Sequence, residues 1–171
     1  ARPLFGSVPA RAALAETIRS VLARPRDKGK LREDVLRMRA DMAAAKPARS
    51  TLDVKLLRGG LVDSEFLIHY LQLREGIGLS PALEVAIGAL EAAGQLREGH
   101  GGHHLLLTRV LVAARLLAPD PDDLPPAAAA ALSRACGCAD FASLQARIAE
   151  ARHAIAGQWA QTFGETLELD G

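Results

Sequence analysis

One stretch constrains the fold more than any other: Leu61-Val62-Asp63-Ser64-Glu65-Phe66-Leu67-Ile68-His69-Tyr70-Leu71-Gln72-Leu73-Arg74. At 3.6 residues per turn, Val62, Phe66, His69 and Leu73 share one face, and Leu61, Glu65, Ile68 and Gln72 share the next. A helix apolar on so many sides belongs at the centre of a fold, with neighbours around it. Its few polar groups then sit where burial is expected, and buried polar groups are costly without partners. Directly before it runs Asp53-Val54-Lys55-Leu56-Leu57-Arg58-Gly59-Gly60, a charged loop broken by two glycines.

The neighbours that such a helix needs are predicted to be helices too. Nearly half of the 171 residues are hydrophobic but only 4% are aromatic, and Ala and Leu predominate, which favours helices over sheet. Ser7 caps a helix from about 9 to 23, with Leu14, Ile18, Val21 and Leu22 as its apolar stripe, and Pro25 ends it. Asp27 opens a second helix to about 45, on which Leu31, Val35, Met38 and Met42 form a single buried face. Ser80-Pro81 is expected to start a fourth helix with the stripe Leu83, Ile87 and Leu90, closed at Gly94. Residues 97–104 read as a flexible loop rich in Gly and His, followed by an apolar helix from about 103 to 117. Residues 118–126 form an acidic, proline-rich surface connection. A short helix over 127–135 and a long one capped by Asp140 and running to about Phe163 complete the chain, the latter with Phe141, Leu144, Ile148, Ile155 and Trp159 buried. The fold class is all-α: an irregular bundle of about seven helices, forming a single helical domain over 1–171.

Several functions are disfavoured at once. A net charge of +1, from 21 basic and 20 acidic residues, gives no general pull toward nucleic acid or membrane. The positive cluster around 24–30, with Arg37 and Arg39, reads as a solvated face. No stretch is long and apolar enough to span a bilayer. Cys136 and Cys138 lack the spacing of a structural zinc site and read as reduced thiols, as in a cytoplasmic protein. There is no P-loop, no dinucleotide fingerprint and no nucleophile motif. The Gly-Ser followed by paired aspartates that a metal-dependent nucleotidyltransferase needs is also absent.

The loop before the central helix is the main candidate site. Lys55 and Arg58 flank Gly59-Gly60 at a helix N-terminus, where free N–H groups and the helix dipole can hold a phosphate. Asp63 and Glu65 would repel a bare phosphate, which a bridging Mg²⁺ would relieve. The structural alternative is that these acids satisfy the helix start and pair with Lys55 and Arg58. The spacing leaves both open, and both need the glycines for a turn with unusual backbone angles. His100, His103 and His104 suggest a small metal-binding regulator more weakly, since no carboxylate or thiolate accompanies them. His69 and Gln72 read as hydrogen-bonded core groups, with Gln72 reaching a neighbouring loop.

Asp53-Val54-Lys55, Gly59-Gly60, Asp63 and Glu65-Phe66, followed by Tyr70-Leu71-Gln72-Leu73, resemble the helical-domain signature of glutamine synthetase adenylyltransferases. Leu36-Arg37-Met38-Arg39 and the segment from Phe141 to Phe163 are similar to what flanks that signature. The resemblance runs from about Arg24 to Phe163 and is densest over Asp53 to Leu73. Ser64 departs from it, standing where the family prefers a bulky aliphatic, and is expected to face solvent or to shift the helix slightly. His69 replaces what is often a glutamine.

The resemblance implies the helical domain of a bifunctional enzyme that attaches AMP to, and removes it from, glutamine synthetase. The catalytic nucleotidyltransferase domain would lie upstream, so no catalytic and no metal-ligating residue is expected in this chain. Leu105-Leu106-Leu107-Thr108-Arg109-Val110, in place of the amino-terminal copy's Glu-His-Arg-Leu-Gln run, favours the carboxy-terminal, AMP-adding half. ATP and Mg²⁺ are implied for the parent enzyme, with no cofactor in the chain alone. The implied partners are the upstream domain, glutamine synthetase and PII protein. Asp53, Lys55, Arg58, Gly59, Gly60, Asp63 and Glu65 would lie at the domain interface, near the nucleotide. The competing reading is a stand-alone helical module that docks on glutamine synthetase or PII protein.

Overall fold

The computed structural model describes residues 3–117 and 124–169. Among them are seven helices and no strand: α1 Val8–Leu22, α2 Lys28–Ala45, α3 Leu61–Glu75, α4 Leu83–Ala92, α5 His100–Leu117, α6 Pro126–Ala135 and α7 Phe141–Phe163. The surface connection expected over 118–126 falls mostly outside the described residues.

Three helix starts follow from short polar side chains that satisfy orphan N–H groups. Ser7 accepts from Ala10 N, Asp27 from Lys30 N at 2.8 Å and Asp140 from Ser143 N at 2.7 Å. α4 departs from expectation. Ser80 accepts from Ala82 N, but α4 begins only at Leu83 and has no side-chain cap. The helix proper starts two residues late because Ser80 closes a turn instead.

α3 is central, as its composition demands. It packs against α2, α4, α5 and α7, and α5 in turn packs against α4, α6 and α7. Leu67, Ile68 and Leu71 of α3 meet Leu90 of α4, Leu107 and Val110 of α5, Leu132 of α6, and Leu144 and Ile155 of α7 in one core. Three aromatic residues, Tyr70, Trp159 and Phe163, pack together in this core. Phe163 stacks at a tilt on Trp159 (4.3 Å between centroids) and on Tyr70 (4.7 Å). The thiols of Cys136 and Cys138 are free and buried, and burial pushes the Cys136 thiol up from its ordinary pKa.

Two helices depart from their apolar pattern. Met38 of α2 is exposed, and the buried residue of that helix is Arg39. The cluster of Arg37 and Arg39 is therefore not one solvated face: Arg37 pairs with Asp34 at the surface, while Arg39 points inward. α1 has no buried residue, so its stripe is not part of the core.

Candidate functional site

The loop and the first turn of α3 are built around Asp63. Its side chain has no exposure, and its carboxylate pairs with the Arg39 guanidinium, Nε to Oδ1 and Nη2 to Oδ2 at 3.3 Å. The Gly59 N–H donates to Asp63 Oδ2 at 2.7 Å. A carboxylate in the first turn of a helix also suits the helix dipole. Asp63 is thus the post on which the loop hangs, and its cation comes from α2. Neither Lys55 nor Arg58, the partners that sequence spacing suggested, supplies it.

The backbone around Asp63 is spent internally. Gly60 N donates to Leu57 O at 2.9 Å, Leu61 N to Val54 O at 2.9 Å and Val62 N to Lys55 O at 3.2 Å. With Gly59 N on Asp63, four successive N–H groups are used by the chain itself. These four amides, the ones that a phosphate cradle at Gly59-Gly60 would use, are therefore already committed.

The two glycines serve different ends. Gly59 has φ +72°, a conformation that favours glycine, and a Cβ there would collide with the Arg152 carbonyl of α7. Gly60 has ordinary backbone angles, contrary to expectation. What it lacks is room, since a Cβ would lie 2.6 Å from Leu57 O and would also meet Val54 O. Arg152 Nε donates to Arg58 O at 2.9 Å, fixing the loop against α7.

The remaining candidates divide by exposure. Asp53 is a turn former: its carbonyl accepts from Leu56 N and Leu57 N at 3.0 Å, and its carboxylate accepts from Arg49 N. Lys55 and Glu65 are exposed. Arg58 is half-buried and lines a cavity of about 220 Å³ with Leu36, Arg39, Trp159, Glu165 and Glu168. The structure therefore gathers Asp53, Gly59, Gly60 and Asp63 into the scaffold, leaves Lys55 and Glu65 exposed, and sets Arg58 half-buried at the cavity. Arg39 was missed because its partner lies far along the chain. The sequence signal for it was its place in Leu36-Arg37-Met38-Arg39, the run similar to what flanks the signature.

A second polar cluster joins α3 to α5. Ser64 is fully buried, and its Oγ lies 2.9 Å from His100 Nε2 and 3.1 Å from His104 Nδ1. This corrects two expectations. Ser64 does not face solvent, and His100 to His104 are not a flexible loop but the first turn of α5. Burial, with His104 and His103 nearby, lowers the His100 pKa to about 4. His104 is also lowered by burial, against an upward pull from Glu65. His69 is exposed rather than in the core and bonds Gln72 Oε1 at 2.8 Å, while buried Gln72 donates to the carbonyls of Gly78 and Ser80. Among the described residues no three His, Cys, Asp or Glu side chains are placed to hold a metal.

Comparison with known proteins is consistent with the loop signature. No family model matches the chain. Among curated proteins it is 33% identical over 181 residues to a bifunctional glutamine synthetase adenylyltransferase/adenylyl-removing enzyme of Rhodopseudomonas palustris (strain HaA2), covering 96% of this chain. The proteins of that description from Caulobacter vibrioides and Brucella suis are 33% and 32% identical over 169 and 159 residues, covering 89% and 88% of it. The chain is a helical piece of the glutamine synthetase adenylyltransferase family. It spans only 16% to 18% of the length of these adenylyltransferases. Among the described residues no helix is long and apolar enough to cross a membrane.

Proposed function

We propose that the chain is the helical accessory domain of an enzyme that transfers AMP from ATP to glutamine synthetase and removes it again, and that it belongs to the AMP-adding half. The observation that carries this reading is the likeness, over almost the whole chain, to relatives described as bifunctional adenylyltransferase/adenylyl-removing enzymes. The catalytic groups lie in a neighbouring nucleotidyltransferase domain. ATP and Mg²⁺ are used there rather than here. The described residues do not fit a Mg²⁺ site, because Asp63 is committed to Arg39 and no three acidic, His or Cys side chains among them are placed to hold a metal. The enzyme works in the cytoplasm, with glutamine synthetase as its protein substrate and PII protein as a regulator.

In this reading the loop divides its labour. Asp63, Gly59 and Gly60 hold its shape. Lys55, Arg58 and Glu65 face the neighbouring domain, where two cations help to position and neutralise phosphate charge, as transfer of a nucleotidyl group requires. The test is to join the chain to the sequence that precedes it and to assay adenylylation of glutamine synthetase. The longer protein should transfer AMP and the 171-residue chain should not. Absence of a Gly-Ser motif with paired acids in the preceding sequence would sink the reading.

A further inference from the structure

Among the described helices α1 alone contributes nothing to the core. It has no buried residue and takes part in none of the principal helix pairings that build the bundle. Yet it presents an apolar stripe, with Leu14 49% and Val21 42% exposed beside Ile18; its first residue Val8 is exposed too, and the approach to it adds Leu4 and Phe5, of which Phe5 is 90% exposed. Both ends are finished: Ser7 caps the start, and Arg26 donates to Leu22 O at 2.8 Å and to Val21 O at 3.2 Å at the finish. A fifteen-residue helix is marginal in water on propensity alone and owes its stability chiefly to packing of an apolar face. Within the described residues that face is covered only in part: Ile18 and Leu22 are half-buried, while Leu14 and Val21 stay exposed.

The match to the Rhodopseudomonas palustris protein covers 96% of this chain but 18% of that protein. About seven residues of the 171 remain unmatched, too few for any part of α1 to fall outside even if all lay at the start. α1 is therefore within the homologous stretch, and more than four-fifths of the relative's chain lies outside that stretch. We propose that the apolar face of α1 docks on the domain that adjoins it on the amino-terminal side in the longer protein, so that the helix is buried only there. This rests on the reading of the chain as one domain of a larger enzyme. The partner surface is an apolar groove that accepts Leu14, Ile18 and Val21.

Amide hydrogen exchange, measured on the 171-residue chain and on the longer protein, tests the proposal. Amides of Ala10 to Leu22 should exchange at least about tenfold more slowly in the longer protein. The double substitution Leu14→Asp, Val21→Asp should abolish that protection while leaving exchange in α3 and α7 unchanged. Equal exchange of α1 in the two proteins would overturn the proposal. So would protection in the 171-residue chain that rises with its concentration, because a second copy would then be the occupant. AMP transfer by the longer protein is assayed separately: protection of α1 without transfer would leave the docking standing and remove the activity.

Discussion

Arg39 and Asp63, twenty-four residues apart, form a buried ion pair that joins α2 to the first turn of α3, and the same carboxylate receives the Gly59 N–H. One interaction thus ties together the signature loop, the central helix and α2. Removing one member of such a pair leaves an uncompensated buried charge, at about 3–5 kcal/mol. Arg39→Ala and Asp63→Ala should each destabilise the chain by that order in urea denaturation. The double replacement Arg39→Met, Asp63→Leu should cost less than either. If the double costs as much as the sum of the two, the pair is not what holds the loop.

The glycines give a prediction of opposite signs. Gly60→Ala places a methyl against the carbonyls of Leu57 and Val54 and should cost ~3 kcal/mol. Gly88 lies inside α4, is exposed and has open space around it, so Gly88→Ala should stabilise by ~0.5–1 kcal/mol. Thermal melting of the two variants checks both, and a tolerated Gly60→Ala would contradict the packing described.

His100 makes stability depend on pH. Its folded pKa of about 4 lies below the ordinary 6.5, chiefly because burial disfavours the imidazolium. The unfolded chain therefore binds the proton more readily. The stabilisation from this group is whole above pH 6.5 and is lost as pH falls from 6.5 toward 4, on the order of 3 kcal/mol in all. The difference in unfolding free energy between the native sequence and His100→Gln should shrink over that window. A difference that grows on acidification would refute the assignment.

How much of this could be read from the sequence follows from how local each cause is. The caps at Ser7, Asp27 and Asp140 act within three residues, and α3 declares its central place by being apolar all round, so both were legible. The start of α5 was not, because Gly101-Gly102 signals a loop and long-range bonds, from Ser64 to His100 and His104 and from the Gly101 N–H to Glu91 of α4, hold that turn in the helix. Met38 and Arg39 were exchanged for the same reason. Periodicity favoured the methionine, and the inward turn of Arg39 depends on a carboxylate twenty-four residues away. α1 shows the converse case, a legible apolar stripe of which no residue is buried. In the loop, the motif was legible but its division into scaffold and outward-facing groups needed the Asp63 geometry.

The central claim is that Lys55 and Glu65, exposed beside a rigid loop, act on the neighbouring domain rather than on the fold. Lys55→Ala and Glu65→Ala should each change the melting stability of the 171-residue chain by no more than ~0.5 kcal/mol, as exposed positions do. In the longer protein the same substitutions should lower the rate of AMP transfer to glutamine synthetase about tenfold, equivalent to ~1.4 kcal/mol of transition-state stabilisation. Unchanged transfer by both folded variants would contradict the account.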